Sequence, residues 1–434
     1  MNSSIAAGIR RLIRPASATP SAVEDNPQSA FDPAEFHPAL KTRLLILQPS
    51  PFCNITCDYC YLPNRNSSAR MEIGTLRQSI KRLLEDGLVG ETLSVIWHAG
   101  EPLALPISFY EAAFEEVRKM LDKDCKVFHS IQTNGTLINK AWCKLFREHH
   151  VCVGVSVDGP ATMHDGHRRT RLGKPTHHLT LRGMDLLRTC GIPFHAIAVV
   201  TDASLGQPYA FFNFFLQHNI EEVSCNFDEI EGTHVTSTLT GKETNYKAFI
   251  SQLLELSMAS NGRVRIRELV NAYQLIEEGL PTYHWRKERW PDNAQVIPFA
   301  LITVAWNGDF STFSPELLGQ SSIEFEDFVL GNVNRKSYLT GAQSKQFIKM
   351  WSAIVQGTKA CRQNCAFFSY CGGGAPANKL YESGTFATTE TLYCRTMVKH
   401  PFQTVLTRFE EDYHLPNAAI NLGVSQNDSS GSVL

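Results

Sequence analysis

The 434-residue sequence contains no apolar run approaching the roughly 18 residues that a membrane-spanning helix requires. It has no excess of either charge. Lys and Arg number 41 and Asp and Glu 43, a formal net of −2, which argues against a chain held to nucleic acid or anionic lipid mainly by counterion release. No apolar stretch of the secretory type opens the chain. Arg10, Arg11 and Arg14 precede the first acid, Glu24, a loose imitation of an organelle transit peptide that a flexible tail explains equally well. A cytoplasmic protein is the expectation. No repeat is visible, and 43% hydrophobic with 19% charged residues excludes a disordered or collagen-like chain. Cysteine is also sparse: 12 residues, too few for a small disulfide-stapled scaffold, with none between Cys225 and Cys361. Seven of them nevertheless fall into two tight groups. In a reducing cytosol such groups point to metal or cluster ligands more than to disulfides.

At about 150 residues per domain the length allows two to three domains. Residues 1–40, rich in Ser, Pro and Ala, read as a poorly ordered leader. Strands are expected at 43–48, 92–97, 127–132, 151–157, 193–200 and 222–228. Helical stretches at 71–84, 109–120, 139–149, 177–190 and 207–218 lie between them. Short β-branched runs separated by helices predict an α/β fold with a parallel sheet of right-handed βαβ units. Six units in about 190 residues imply a partial (β/α)6 barrel over 41–290, with its chemistry in the loops at the C-terminal strand ends. A helix near 242–259 and an irregular link lead to a strand–turn near Ile302. This opens a smaller cysteine-rich domain over 291–415, and a flexible tail follows over 416–434.

Directly after the first strand stands Cys53-Asn-Ile-Thr-Cys57-Asp-Tyr-Cys60. Three thiolates on one loop can each hold one iron of a [4Fe–4S] cube and leave the fourth iron open to chelate an amino acid. A zinc site with a distant fourth ligand and free buried thiols are the alternatives. This loop resembles the signature of the radical S-adenosylmethionine (SAM) superfamily, including the aromatic Tyr59 before the third cysteine. The likeness continues along successive strand ends. His98-Ala99-Gly100-Glu101-Pro102-Leu103 is similar to the family's GGEPL segment, with Ala99 in place of the first glycine. Gln132-Thr133-Asn134-Gly135 follows the third strand. Ser156-Val157-Asp158-Gly159-Pro160 follows the fourth, and His164, Asp165 and Arg168 come after it. The resemblance implies that Gly100, Glu101 and Pro102 meet the methionine amino group and that Ser156 and Arg168 hold the ribose and carboxylate. It sets Tyr59 beside the adenine through its backbone, with Gln132 and Asn134 in the same cofactor site. A guanidinium suits a carboxylate as a fork of donors.

The second group, Cys361, Cys365, Cys371 and Cys394, offers four ligands, enough to close a cluster, and Gly372-Gly373-Gly374 sets permissive backbone beside one of them. A zinc site with four thiolates is the alternative. The group resembles the SPASM extension of peptide-modifying radical SAM enzymes, with one extra residue between Cys361 and Cys365. The full extension carries two auxiliary clusters and takes a cysteine soon after a Gly-Asp turn. Here Asn307-Gly308-Asp309 is followed by Phe310 to Ser314, with no cysteine. One auxiliary [4Fe–4S] cluster is therefore expected, and Cys125, Cys143, Cys152, Cys190 and Cys225 are read as core or surface thiols.

More narrowly, QPSPFCNITCDYCYLPNR, WHAGEPLALPISFYE, FSTFSPELLG, VLGNV and CGGGAPANKLYESGTF resemble the maturases of glycine-rich-repeat ribosomal peptides, including cyclophane-forming members. That resemblance implies a precursor-peptide substrate, a 5′-deoxyadenosyl radical that takes a side-chain hydrogen at the β-carbon, and oxidative closure of a crosslink or small ring. A flavodoxin- or ferredoxin-like electron donor completes it, with no nucleic-acid or membrane partner. Candidate bases are Glu316, Asp228 and Glu229, with His98 as a possible peptide contact. Competing readings are epimerisation, cyclopropane formation, sulfatase-type side-chain oxidation and, from a different class, a non-catalytic zinc scaffold.

Overall fold

The computed structural model describes residues 31–36, 39–121, 125–278, 282–285 and 288–414. The expected leader up to residue 30 and the tail over 416–434 lie outside them.

Aliphatic and β-branched runs make the strands. β1 (Leu44–Gln48) is buried at every residue, as a strand covered on both faces must be. It pairs in parallel with β2 (Thr92–Trp97), and β3 (Lys126–Thr133), β4 (Cys152–Ser156), β5 (Phe194–Val200) and β6 (Glu222–Phe227) follow in order, all parallel. A two-residue β7 (Arg265–Ile266) extends the edge beyond the six expected strands. Amphipathic helices form the crossovers. Helix α1 (Ile73–Glu85), for example, buries Leu76, Ile80 and Leu83 at spacings of four and three on one face. Observed limits fall within one or two residues of the expected ones, and 92–97 matches residue for residue.

The cysteine-rich region does not stand apart from this sheet. Its strand β8 (Leu301–Ala305) pairs in parallel with the free edge of β1, register Leu44 to Leu301. It turns through Gly308 into antiparallel β9 (Asp309–Thr312), which pairs with β10 (Gly331–Asn332). The ten-stranded order is β10-β9-β8-β1-β2-β3-β4-β5-β6-β7. Packing also begins earlier than the expected ordered start at residue 41. The Phe31 ring sits 5.2 Å from Phe347, and Phe36 and Leu40 are buried.

All parallel strands end on one side, so the segments after Gln48, Trp97, Thr133, Ser156 and Phe227 share one mouth. A three-residue ribbon closes part of it: Ile55–Cys57 pairs antiparallel with Arg168–Thr170, setting Cys57 opposite Arg168. Among the described residues no helix is long and apolar enough to cross a membrane.

Candidate active site

Cys53 and Cys57 are buried around Ile55, with Cys60 and Tyr59 packed against them, so the loop brings its three thiols together. Burial pushes Cys53 up to about 11 and Cys57 up to about 12. A buried thiol of this kind becomes a thiolate when a cation replaces its proton. Arginines strap the loop. Arg65 donates to the Cys57 carbonyl (3.0 Å), and Arg171 donates through Nε to the Cys53 carbonyl (2.8 Å) while covering the Phe52 ring at 4.5 Å. Among the described residues no three His, Cys, Asp or Glu groups converge on one ion-sized point. Three thiols on one short loop suit a cube, in which each takes its own iron.

The turn after β2 lies directly on this loop. Gly100 (φ 59°) fits only because it lacks a side chain, since a Cβ there would stand 2.3 Å from the Phe52 carbonyl oxygen. The Glu101 amide donates to that same oxygen (2.7 Å). Ala99, where the resembled family has glycine, adopts φ 73°, a left-handed conformation that costs an alanine roughly 1–2 kcal/mol. The Glu101 carboxylate is buried and accepts from Leu103 N (2.9 Å), Thr133 Oγ1 (2.7 Å) and Asn134 N (2.8 Å). Burial nevertheless raises it to about 7. Asn134 in turn donates through Nδ2 to Asn54 Oδ1 (2.9 Å) and reaches the Cys53 sulfur at 3.9 Å. The ends of β2 and β3 are thus knitted to the cysteine loop. Pro102 is buried in the following turn, and Gln132 sits half-buried one residue before the end of β3.

Ser156 ends β4, half-buried. The structure adds a constraint on Arg168. Its Nε and one terminal nitrogen grip Asp158 at 2.8 and 3.0 Å, with the two side chains 8% and 2% exposed. Asp158 also accepts from the Tyr59 hydroxyl (2.5 Å) and the Val199 amide (2.9 Å). The carboxyl is lowered despite burial because of the guanidinium beside it. Arg168 therefore reaches any ligand only through an edge that Asp158 leaves free. The Tyr59 ring is locked between Asp158 and His167, whose ring centroid is 5.5 Å away.

The candidate bases divide. Asp228 is committed to its own loop, accepting from His234 Nε2 (2.7 Å) and from the Thr238 amide and hydroxyl (both 2.7 Å). Glu229 and Glu316 instead share a half-buried cluster with Glu231. All three are raised, first by burial; mutual repulsion adds to this at Glu229 and Glu231. Asn378 donates to Glu229 (2.7 Å) and Glu231 (3.2 Å), the Tyr381 hydroxyl donates to the Glu316 carbonyl (2.9 Å), and Ser314 donates to the Glu316 carboxylate. Tyr61, next to Cys60, faces the same charges and stacks on His98 (6.4 Å, 21°), which burial pushes down to about 4 and so keeps neutral. Sequence reasoning missed Glu231, Tyr61, Asn378 and the two strapping arginines. Only Glu231 left a trace, standing two residues from a named candidate after β6.

The second cysteine group also assembles. Cys361 lies in the last turn of helix α2 (Lys345–Asn364), and Cys365 caps that helix, its amide on the Cys361 carbonyl (2.8 Å). Cys371 ends a short helix, and Gly372, Gly373 and Gly374 all take positive φ (64°, 105° and 74°). A Cβ on Gly373 would meet Thr358 at 2.7 Å. Asn293 fixes this turn by donating to the Cys371 and Gly374 carbonyls (2.8 and 3.0 Å). Burial pushes Cys371 up to about 11 and Cys394 up to about 12. The stretch after the Gly-Asp turn is filled otherwise. Phe313 is fully buried and stacks on Trp351 (6.0 Å, 7°) and Phe347 (6.1 Å, 16°). Of the remaining thiols, Cys125, Cys143 and Cys225 are buried, Cys190 is half-buried and Cys152 exposed. A cleft of about 870 Å³ opens beside the first cysteine loop, lined among others by Thr56, Leu62, Arg65, Arg171, Trp306 and Leu318.

Comparison with known proteins agrees with this geometry. The model of the radical SAM superfamily matches residues 47–213. An uncharacterised protein of Synechocystis sp. is 37% identical over 380 residues, 86% of this chain and 94% of that one. A serine-type anaerobic sulfatase-maturating enzyme of Bacteroides thetaiotaomicron is 33% identical over 226 residues, 48% of this chain; the chain spans about half (53%) of that enzyme's length. Among solved structures, native anSMEcpe with bound AdoMet and Cp18Cys peptide superposes with a TM-score of 0.67 at 22% identity, covering 86% of this chain and 99% of that one. Streptococcus suis SuiB bound to S-adenosylmethionine gives 0.55 at 15% identity, covering 82% and 76%. At these identities the two structures speak for the fold. With three thiols on the loop after β1, the strand ends knitted around them and the radical SAM model matched over residues 47–213, this chain belongs to the radical SAM superfamily, as an enzyme related to the anaerobic sulfatase-maturating members.

Proposed function

We propose that the chain matures a ribosomally made precursor peptide, oxidatively forming an intrapeptide bond of the cyclophane or small-ring kind. Cys53, Cys57 and Cys60 would hold the [4Fe–4S] cluster that binds SAM. Gly100, Glu101, Pro102, Gln132, Asn134, Ser156, Arg168 and the Tyr59 backbone would surround the cofactor. Cys361, Cys365, Cys371 and Cys394 would hold one auxiliary [4Fe–4S] cluster, and the aromatic stack at Phe313 supports one rather than two. When bound, these groups supply a 5′-deoxyadenosyl radical that takes a hydrogen atom from the peptide, together with an acceptor for a second electron. An external flavodoxin- or ferredoxin-like protein would deliver the initiating electron.

The chain's own part is positioning and proton removal. The observation that carries the reading is the half-buried set Glu229, Glu231 and Glu316. It borders Tyr61, beside the first cysteine group, and is hydrogen-bonded by Asn378, on the helix (Pro376–Ser383) that follows Cys371. A carboxylate whose affinity for protons has been raised by burial is a competent base near neutral pH. Glu316 or Glu229 would accept the proton as the peptide loses its second electron, so that two hydrogens leave for each bond formed. The cleft beside Trp306 and Arg65 would admit the peptide. Identity with the sulfatase-maturating enzyme supports a second outcome at the same site, in which a serine- or cysteine-type side chain is oxidised without ring closure.

Anaerobic co-expression with a precursor peptide encoded beside the gene tests the proposal. Loss of two hydrogens per site, with fragmentation locating a link between two residues, is the expected result. The same loss confined to one residue supports side-chain oxidation. An unchanged mass with deuterium uptake from heavy water would replace both with epimerisation. Cys57→Ala should abolish 5′-deoxyadenosine formation.

A further inference from the structure

Lys379 presents an electrostatic problem that the protein alone does not solve. It is one of the most deeply buried charged residues in the chain, 3% exposed. Among the described residues no carboxylate pairs with it; the ammonium's side-chain partner is the Cys361 sulfur, at 3.3 Å. Moving an ammonium out of water costs several kcal/mol unless an anion compensates it. Lys399, the other lysine near these cysteines, is different, because Glu390 already neutralises it. The Lys379 backbone is held at the start of its helix, with its amide on the Ala375 carbonyl (3.2 Å) and its own carbonyl accepting from Ser383 Oγ (2.6 Å). The side chain is thus delivered to Cys361 by a fixed element. The segment from Cys371 through Gly374, which carries another ligand, immediately precedes that element.

We infer that Lys379 is the counter-charge of the auxiliary cluster, and that its ammonium–sulfur hydrogen bond to Cys361 raises the cluster's reduction potential. This rests on the reading that the second cysteine group holds a [4Fe–4S] cluster. A cube of charge 2+ on four thiolates carries a net charge of about −2, and reduction makes it more negative. A cation fixed on one ligand sulfur stabilises the reduced state more than the oxidised one, so the potential moves up. A higher potential suits a cluster whose task is to accept an electron from an organic radical. Lys379 is thereby a potential-setting residue that acts through the Cys361 sulfur.

The test is a redox titration followed by electron paramagnetic resonance on anaerobically reconstituted protein carrying Cys53→Ala, Cys57→Ala and Cys60→Ala, so that the signal belongs to the auxiliary site. Lys379→Met, which keeps bulk and loses charge, should lower the reduction equilibrium constant at least tenfold, a downward shift of about 59 mV for one electron. Lys379→Arg should stay closer to the parent. An unshifted midpoint in Lys379→Met with full iron content would overturn the inference. If Lys379→Met loses its iron, Lys379→Arg must retain it, and equal loss in both also overturns the inference. A parent protein without iron and sulfide at this site would instead remove the cluster reading, and the inference with it. That result is distinct from an unshifted potential.

Discussion

Glu101 offers the sharpest quantitative test of the site. Its carboxyl is 1% exposed and has three hydrogen bonds but no ion-pair partner among the described residues. Burial lifts it from 4.5 to about 7. Between those two values the folded apoprotein keeps a proton on Glu101 that the unfolded chain has released. Stability therefore falls as pH rises through that window and levels off above it. At about 1.4 kcal/mol per tenfold step the total is about 3 kcal/mol. His98, His129 and His164 pull the other way. Burial pushes each down to about 4, so from there to about 6.5 the unfolded chain holds the extra protons and stability rises with pH. The wild-type profile mixes both effects, and the difference between Glu101→Gln and wild type isolates the carboxyl. Urea unfolding of both proteins, free of iron and SAM, at about pH 5 and about pH 7.5 supplies that difference. It should move in the variant's favour by about 2.4 kcal/mol between the two conditions, most of that total. An equal difference at both pH values would refute the view that burial dominates at Glu101.

Asp158→Asn leaves Arg168 buried without its anion and should cost about 3–5 kcal/mol in urea unfolding, whereas Asp158→Leu combined with Arg168→Met should cost clearly less. Equal losses would show that the pair's charge is immaterial. Gly100→Ala drives a Cβ into the Phe52 carbonyl and should lose iron from the first cysteine group, as read by iron and sulfide content after reconstitution. Ala99→Gly relieves a left-handed alanine and should gain about 1 kcal/mol; a loss of stability would mean that the alanine methyl packs better than its backbone suffers.

Legibility in the sequence followed how local each determinant is. Strands such as Leu44–Gln48 and Thr92–Trp97 are continuous apolar runs with turn residues on both sides, so their positions could be read within a residue or two. The cysteine loop and the Gly100–Pro102 turn could be located equally well, because each is a pattern of residues within one short stretch. The Asp158–Arg168 grip was not, since it depends on the three-residue ribbon that sets Cys57 opposite Arg168. The same limit hid Lys379 and Asn378. Each is an ordinary helical residue until packing carries it to Cys361 or to Glu229. Asp228 and Glu229 are adjacent in sequence, yet the first secures the His234–Thr238 loop and the second joins the half-buried acids Glu231 and Glu316. Adjacent residues on an extended segment face opposite ways, and the sequence alone could not say which way each faced.

The pairing of β1 with β8 also sets a timetable for synthesis. Leu44 waits for Leu301, a separation of 301 − 44 = 257 residues. At about 5–20 residues per second, ribosomal elongation leaves roughly 13–50 s in which an apolar pentapeptide can have only its β2 side satisfied. An unpaired, flat, aliphatic edge is what attracts a neighbouring nascent chain. The protein's yield in a heterologous host should therefore depend on what shields Leu44–Gln48 in that interval. Slower translation at low temperature would lengthen the exposure even as it weakens apolar association.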